Sequence, residues 1–101
     1  MHVILDGNQI SDRESLHDFL MLHLHFPAYY GRNLDALYDL LTEIPEDTHL
    51  EILNADILQD KLGTYSGALF NAFNQASENN PHFSIKICSS AVTESIFPEG
   101  T

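Results

Sequence analysis

The sequence predicts an α/β fold with two layers, in which a three-stranded parallel β-sheet is covered by helices packed mainly on one face. Three short segments rich in apolar residues are separated by longer stretches of helical periodicity, and strands joined by helical crossovers pair in parallel. In the last segment, residues 83–88, apolar side chains alternate with polar ones such as Lys86. That alternation predicts that the second face of the sheet is partly open to solvent.

The first strand is predicted over residues 3–5, where a short apolar run precedes turn-forming residues. Ser11 with Glu14 three residues later matches a capping box, which begins a helix over about residues 12–25. Pro27 ends this helix, because the residue before a proline is pushed out of helical geometry.

The second helix follows a loop, residues 28–32, in which Gly31 is expected to supply the freedom for a tight bend. Asn33 is a suitable N-cap for this helix, and Pro45 ends it. The leucines that recur at helical spacing and should face the core are Leu34, Leu37 and Leu41, with Leu40 at the border of the stripe.

The second half of the chain is predicted to hold two strands and two helices. Residues 49–54 read as a strand, and residues 56–62 as a short helix that Gly63 ends. A longer amphipathic helix covers about residues 66–79, and the last strand begins at Phe83.

At 101 residues the chain is long enough for one domain with a single core. Residues 1–90 are expected to form that domain, and residues 91–101, which lack clear periodicity, a C-terminal tail. A disulfide framework is excluded because Cys88 is the one cysteine. The N-terminus has no basic region, and its apolar run is too short for a signal peptide or a membrane span, so we expect a cytoplasmic protein.

The chain is strongly acidic, with fifteen Asp and Glu against four Lys and Arg and a net charge of -11. Such a charge repels nucleic acid and anionic membranes and attracts basic partners. Acidity also keeps many small proteins soluble, and charge alone does not separate these two interpretations.

The sequence shows neither a catalytic apparatus nor a cofactor site. The glycines are too scattered for a phosphate loop, and Ser66 lacks the flanking glycine of a nucleophile elbow. His23 and His25 lie on different faces of a helix, and His49 and His82 are isolated. We therefore expect surface or half-buried histidines and no metal site.

Three acids of the second helix, Asp35, Asp39 and Glu43, recur at four-residue spacing. An enzyme-class alternative would use them in a carboxylate-dependent metal hydrolase. No complementary base, nucleophile or calcium loop accompanies them in the sequence.

The second helix has a polar face beside its leucine stripe, on which Asp35, Asp39 and Thr42 gather, with Tyr38 between the two. Asp35 lies near the helix N-terminus and complements the helix dipole. Asp39 lies a full turn further in, where its repulsion of Asp35 weakens the helix slightly. These acids therefore call for an explanation other than helix stability.

Three tyrosines accompany the acids. Tyr29 and Tyr30 are expected to divide between exposure and packing, with one ring stapling the start of the helix, while Tyr38 could either tuck against the core or reach the surface. Half-exposed tyrosines among carboxylates are typical of interface hot spots. The residues thus predict a recognition face for a cationic partner surface. We call it the acidic-aromatic face, and its members are Tyr29, Asp35, Tyr38 and Asp39.

The run Pro27–Thr42, PAYYGRNLDALYDLLT, resembles the signature of the barstar family, intracellular inhibitors of barnase-type ribonucleases. The resemblance extends in order over about residues 2–90, although outside the signature it is a pattern more than an identity. It implies a three-stranded parallel sheet covered by helices. It also implies a stoichiometric inhibitor, monomeric when free, that plugs the basic active site of a barnase-like ribonuclease in a 1:1 complex.

The resemblance also implies residue roles. Asp39 would occupy the phosphate position in the ribonuclease, Asp35 would make a second acidic contact, and the Tyr29 ring would pack on the catalytic histidine. Further polar and backbone contacts at the rim would come from Gly31, Asn33 and Thr42.

Three positions depart from the family pattern. Tyr38 stands in place of a tryptophan, Gln75 in place of a glutamate, and Arg32 in place of an acid. Tyr38 and Gln75 are still expected to contact the partner, with altered specificity. The departures leave open an alternative function as a barstar-like adaptor for a basic partner that is not a nuclease.

Overall fold

The computed structural model of the protein describes residues 1–90. The tail expected over residues 91–101 lies outside the described residues. A short 3-10 helix, Gly7–Gln9, follows the first strand. The strands and helices, in chain order, are β1 (His2–Asp6), α1 (Arg13–His23), α2 (Leu34–Thr42), β2 (Thr48–Leu53), α3 (Ala55–Leu62), α4 (Tyr65–Asn79) and β3 (Phe83–Ile87).

The strands form one parallel sheet in the order β1-β2-β3. One face of the sheet is buried, and its central side chains, Leu5, Leu50 and Ile52, are fully enclosed. The side chains between them along each strand point to the opposite face, which is open to solvent, and Ile4 in β1 and Lys86 in β3 are exposed there. The predicted α/β class, the parallel pairing and the solvated sheet face are all confirmed.

The helices bury their apolar stripes in the same core as the inner sheet face. In α2 the predicted stripe is correct for Leu37 and Leu41, which are fully buried. Leu34, in the first turn, is only half-buried and packs at the edge of that core. The other fully enclosed helical side chains are Leu16, His17 and Leu20 of α1, Leu58 of α3, and Leu69, Phe73 and Ala76 of α4.

The start of α1 differs from the prediction. The N-cap is Asp12, whose carboxylate accepts a hydrogen bond from the Ser15 backbone N–H at 2.8 Å, while Ser15 Oγ accepts one from the Asp12 N–H at 3.0 Å. The predicted box of Ser11 and Glu14 was therefore wrong by one residue. Ser and Asp are comparable caps, so the sequence offers two overlapping boxes, and the structure uses the second.

The end of α1 also comes earlier than predicted, at His23. His25 takes a left-handed conformation with φ 59°, and the Phe26 N–H donates to the Met21 carbonyl at 3.0 Å. This bond pattern is that of a Schellman cap, in which a left-handed residue after the helix lets the chain reverse. The buried Phe26 ring anchors the cap in the core. A left-handed histidine gives little sequence signal, because glycine usually takes that position.

None of the helices within residues 1–90 is long and apolar enough to span a bilayer. The end of α2 comes at Thr42, ahead of the predicted stop at Pro45, and the remaining boundaries agree with the prediction to within about one residue.

Candidate partner-binding site

The loop before α2 is tied to the first turn of that helix by Asn33. Its side-chain oxygen accepts a hydrogen bond from the Ala36 N–H at 2.8 Å, and its amide donates to the Gly31 carbonyl at 3.3 Å. The predicted N-cap is confirmed. The tight bend, however, falls on Arg32, which has φ 57°, and not on Gly31 as expected. A side chain at Gly31 would instead press on Asn33, since its Cβ would lie 3.2 Å from Asn33 Nδ2.

The two adjacent tyrosines divide as predicted. Tyr29 is 82% exposed, whereas Tyr30 is 5% exposed. The Tyr30 ring packs on Phe26, with 4.9 Å between ring centroids, and is the staple expected at the start of α2. Tyr29 is thus exposed to solvent next to Tyr30, whose ring is fixed in the core.

His17 anchors Tyr30 from the other side. Its Nδ1 lies 2.6 Å from the Tyr30 hydroxyl and its Nε2 lies 2.7 Å from the Tyr65 hydroxyl. A neutral imidazole has one donor and one acceptor nitrogen, so it satisfies one hydroxyl as a donor and the other as an acceptor. The bridge joins α1, the loop before α2, and α4.

Burial keeps this bridge neutral. It lowers the pKa of His17 below its usual value, and the nearby positive charge of Arg32 lowers it further. Burial also raises the pKa of the Tyr30 and Tyr65 hydroxyls. The expectation that the histidines are surface or half-buried residues was wrong for His17. Its helical spacing to Leu20 and Leu24 was the available signal, because those positions share the buried face of α1.

Asp35 and Asp39 are both exposed on α2, one turn apart. Among residues 1–90, neither carboxylate has a hydrogen-bond or ion-pair partner. Thr42, one turn after Asp39, donates its hydroxyl to the Asp39 backbone carbonyl at 2.8 Å and is half-buried. The helix therefore holds two carboxylates toward solvent without neutralising either.

Tyr38 both packs against the core and reaches the surface, the two alternatives that the sequence left open. Its ring packs against the hydrophobic core and is half-buried. Its hydroxyl accepts a hydrogen bond from Asn79 Nδ2 on α4 at 2.7 Å. The hydroxyl thereby links α2 to α4.

Two depressions of the surface meet at Asp39. One, of about 450 Å³, is a groove between α2 and α4, lined by Asp35, Tyr38, Asp39 and Gln75 among others. The second, of about 270 Å³, lies on the loop side of α2 and is lined by Tyr29, Gly31 and Asp39 among others. The residues of the acidic-aromatic face therefore line two adjoining depressions. Asp39 lies on the ridge between them, and Gln75 lies across the groove from α2.

The end of α2 is held by Asn80, which is 4% exposed. Its amide donates to the backbone carbonyls of Leu41 and Ile44 at 2.8 and 3.1 Å, and its side-chain oxygen accepts from the His82 N–H at 2.9 Å. The bond to Leu41 satisfies a carbonyl that the helix end leaves unpaired, and the bond to Ile44 holds the chain that follows the helix. The helix that carries both aspartates is therefore fixed at both ends.

The positive charge of Arg32 is engaged within the protein. Its guanidinium forms an ion pair with Asp18 of α1 and lies 3.7 Å from the Met21 sulfur. The departure at this position consequently adds less positive charge to the acidic-aromatic face than the sequence suggests.

The side chains that could share a metal ion lie away from α2. Among residues 1–90, the ligand-type side chains close enough to share one cation are His2, His49 and Glu51, on the open face of the sheet. The set Asp35, Asp39 and Glu43 is not such a group in this part of the chain. The interpretation of His49 as isolated was also wrong, because the pairing of β1 with β2 brings His2 beside it.

Comparison with known proteins identifies a family and a curated relative. Residues 1–88 match the family model described as Barstar (barnase inhibitor). A protein of Bacillus subtilis (strain 168), YrdF, whose name describes it as a candidate ribonuclease inhibitor, is 39% identical over 79 residues. That alignment covers 75% of this chain and 85% of the relative.

Proposed function

Since the chain belongs to the barstar family, we propose that it is a stoichiometric inhibitor of a barnase-like ribonuclease. The acidic-aromatic face enters the basic active site of the enzyme and blocks access of RNA. The observation that carries this proposal is the pair of unpartnered carboxylates, Asp35 and Asp39, on a helix fixed at both ends.

Asp39 would occupy the site of an RNA phosphate. A cleft that binds phosphate groups presents Arg, Lys and His donors, and a carboxylate on the ridge between two depressions can accept several charge-assisted hydrogen bonds there. Asp35, one turn earlier, would meet the edge of the same basic cleft. Because neither acid has an internal partner to leave, binding costs no broken ion pair.

Tyr29 would supply the aromatic anchor. Its ring is exposed in the free protein, and the neighbouring Tyr30 is locked by the core and by His17. Anchoring the loop reduces the conformational entropy that is lost on binding. The rim contacts proposed for Gly31, Asn33 and Thr42 lie in the same loop and helix and are ordered by the same hydrogen bonds.

Tyr38 and Gln75 would set the choice of enzyme. The Tyr38 hydroxyl is already bound to Asn79, so the partner meets a ring of fixed orientation. Gln75 lines the groove with a neutral amide, which can both donate and accept. A cognate ribonuclease should therefore oppose Gln75 with a neutral polar group in place of a lysine or arginine.

The net charge of -11 would act at longer range, by accelerating encounter with a basic enzyme. Rapid association suits an inhibitor that competes with RNA. The proposal needs no metal, cofactor or catalytic step.

The decisive experiment titrates the purified chain into a barnase-type ribonuclease and follows RNA cleavage. Activity should fall to zero at one inhibitor per enzyme. Asp39→Asn should weaken inhibition by about 2–5 kcal/mol, or about 30-fold to several thousand-fold, because it leaves buried cations of the enzyme unpaired. Asp60→Asn, an exposed acid of α3, is the matched control that removes the same charge elsewhere.

Equal inhibition by the Asp39→Asn and wild-type proteins would reject this mode of binding. An adaptor for a basic partner that is not a nuclease is the second candidate, favoured by the neutral Gln75 in the groove. Affinity capture with the wild-type chain, using Asp39→Asn as the negative control, separates the two. The adaptor function requires a non-nuclease partner that only the wild-type chain retains.

A further inference from the structure

The open face of the sheet brings together two histidines and a glutamate from neighbouring strands. His2 of β1 is opposite His49 of β2 in the parallel register, and Glu51 follows two residues later on the same face. The His2 and His49 rings have centroids 5.0 Å apart, and His2 Nε2 lies 3.4 Å from Glu51 Oε1. Sheet register, and not local sequence, creates this cluster.

We propose that His2, His49 and Glu51 bind a divalent transition-metal ion, for which Zn²⁺ is the probe. One ligand atom from each residue lies within 4.8 Å of the other two. Tetrahedral zinc with bonds of about 2.0–2.1 Å holds its ligand atoms roughly 3.3 Å apart, so closure of up to about 1.5 Å is needed. Side-chain rotation on an open face supplies that closure without moving the strands.

The ligand types select the metal. Two imidazoles with one carboxylate suit Zn²⁺ and its transition-metal neighbours, whereas Mg²⁺ and Ca²⁺ prefer oxygen ligands. Three protein ligands leave a fourth tetrahedral position for water. The site is reachable from solvent, since the His2 side chain is 56% exposed and the Glu51 side chain 23% exposed.

The third strand contributes a hydrogen-bond partner beside the site. Ser84 of β3 is opposite His49 in the register, and its hydroxyl lies 2.7 Å from His49 Nδ1. When Nδ1–H donates to this hydroxyl, the lone pair is on Nε2, which is then available to a metal. A hydrogen bond of this kind fixes the tautomer and the ring orientation of metal-binding histidines.

The electrostatic balance has two parts. The net charge of -11 favours any cation, but Lys86 is opposite Glu51 in the register and opposes a metal charge there. Lys86→Gln is therefore expected to tighten Zn²⁺ binding. Metal binding competes with the direct contact between His2 and Glu51, which is an ion pair when His2 is protonated.

This site does not depend on the proposed inhibition. The metal cluster lies on the open face of the sheet, whereas the acidic-aromatic face belongs to the helical layer that covers the other face. Failure of zinc binding would not affect the inhibitor proposal, and failure of ribonuclease inhibition would not affect the metal proposal.

The test is calorimetric titration of the full, chelator-treated chain with ZnCl₂, with MgCl₂ as the metal control. We expect saturable binding of one Zn²⁺ per chain and none of Mg²⁺. His49→Ala and Glu51→Gln should each weaken Zn²⁺ binding by at least about tenfold, and Ser84→Ala by about tenfold. His23→Gln, which alters an exposed histidine of α1, should leave the affinity unchanged.

Thermal unfolding without metal verifies that each variant is folded, and Zn²⁺ should raise the melting temperature of the wild-type chain but not of His49→Ala. Absence of saturable binding up to about 1 mM Zn²⁺ would overturn the proposal. Wild-type affinity in a folded His49→Ala variant would overturn it as well, because the metal would then be bound elsewhere.

Discussion

Replacing Tyr30 by phenylalanine tests whether the buried bridge supports the proposed binding loop. The substitution keeps the ring that packs on Phe26 and removes only the hydroxyl, which lies 2.6 Å from His17 Nδ1. His17 is 2% exposed, so water has little access to the nitrogen left unpaired. An unsatisfied buried polar group costs about 1–3 kcal/mol. For a domain of this size, each kcal/mol lowers the melting temperature by about 4–8 °C.

The assay is urea and thermal unfolding at pH 7.5, followed by circular dichroism. Tyr29→Phe is the matched control, because the same hydroxyl is removed one residue earlier from a ring that is 82% exposed. Its stability should stay within about 0.5 kcal/mol of the wild type. If Tyr30→Phe is as stable as Tyr29→Phe, the bridge contributes nothing and the reasoning fails.

Two further predictions concern the same scaffold. Because the pKa of His17 in the folded protein lies below the ordinary histidine value of about 6.5, the unfolded chain takes up this proton first as the pH falls, and stability should decline from about pH 6.5 downward. A His17→Gln variant should show a flatter pH dependence in urea titrations, and an equal slope would contradict the assignment. Asn80→Ala should cost at least about 2 kcal/mol, because its buried side chain makes three hydrogen bonds that join the segment after α2 to the segment before β3. Chemical denaturation measures this loss, and Asn74→Ala, an exposed change on α4, serves as its comparison.

The predictable parts of this fold are those that local sequence encodes. Helical spacing identified Leu37 and Leu41 as core residues, and alternation identified the open face of β3. The N-cap at Asn33 followed from residue type alone. Each of these signals needs only a window of a few residues, because helix and strand periodicity is itself local.

The features that the sequence did not predict depend on contacts between distant segments or on rare backbone conformations. The left-handed residue of the loop before α2 is Arg32, next to the glycine that the sequence favours. The hydrogen bond of His17 Nε2 joins it to Tyr65, which is 48 residues away. The neighbourhood of His2 and His49 exists only once the strand register is known. No window of local sequence contains that information.

The unpaired acids of α2 have a consequence for the energy of the free protein. Asp35 and Asp39 repel each other across one helical turn, and within residues 1–90 neither carboxylate forms an ion pair. The isolated chain is therefore held slightly above the lowest energy that its fold permits. A cationic surface that reaches both carboxylates would release this strain, so part of the driving force for association is already present in the unbound molecule.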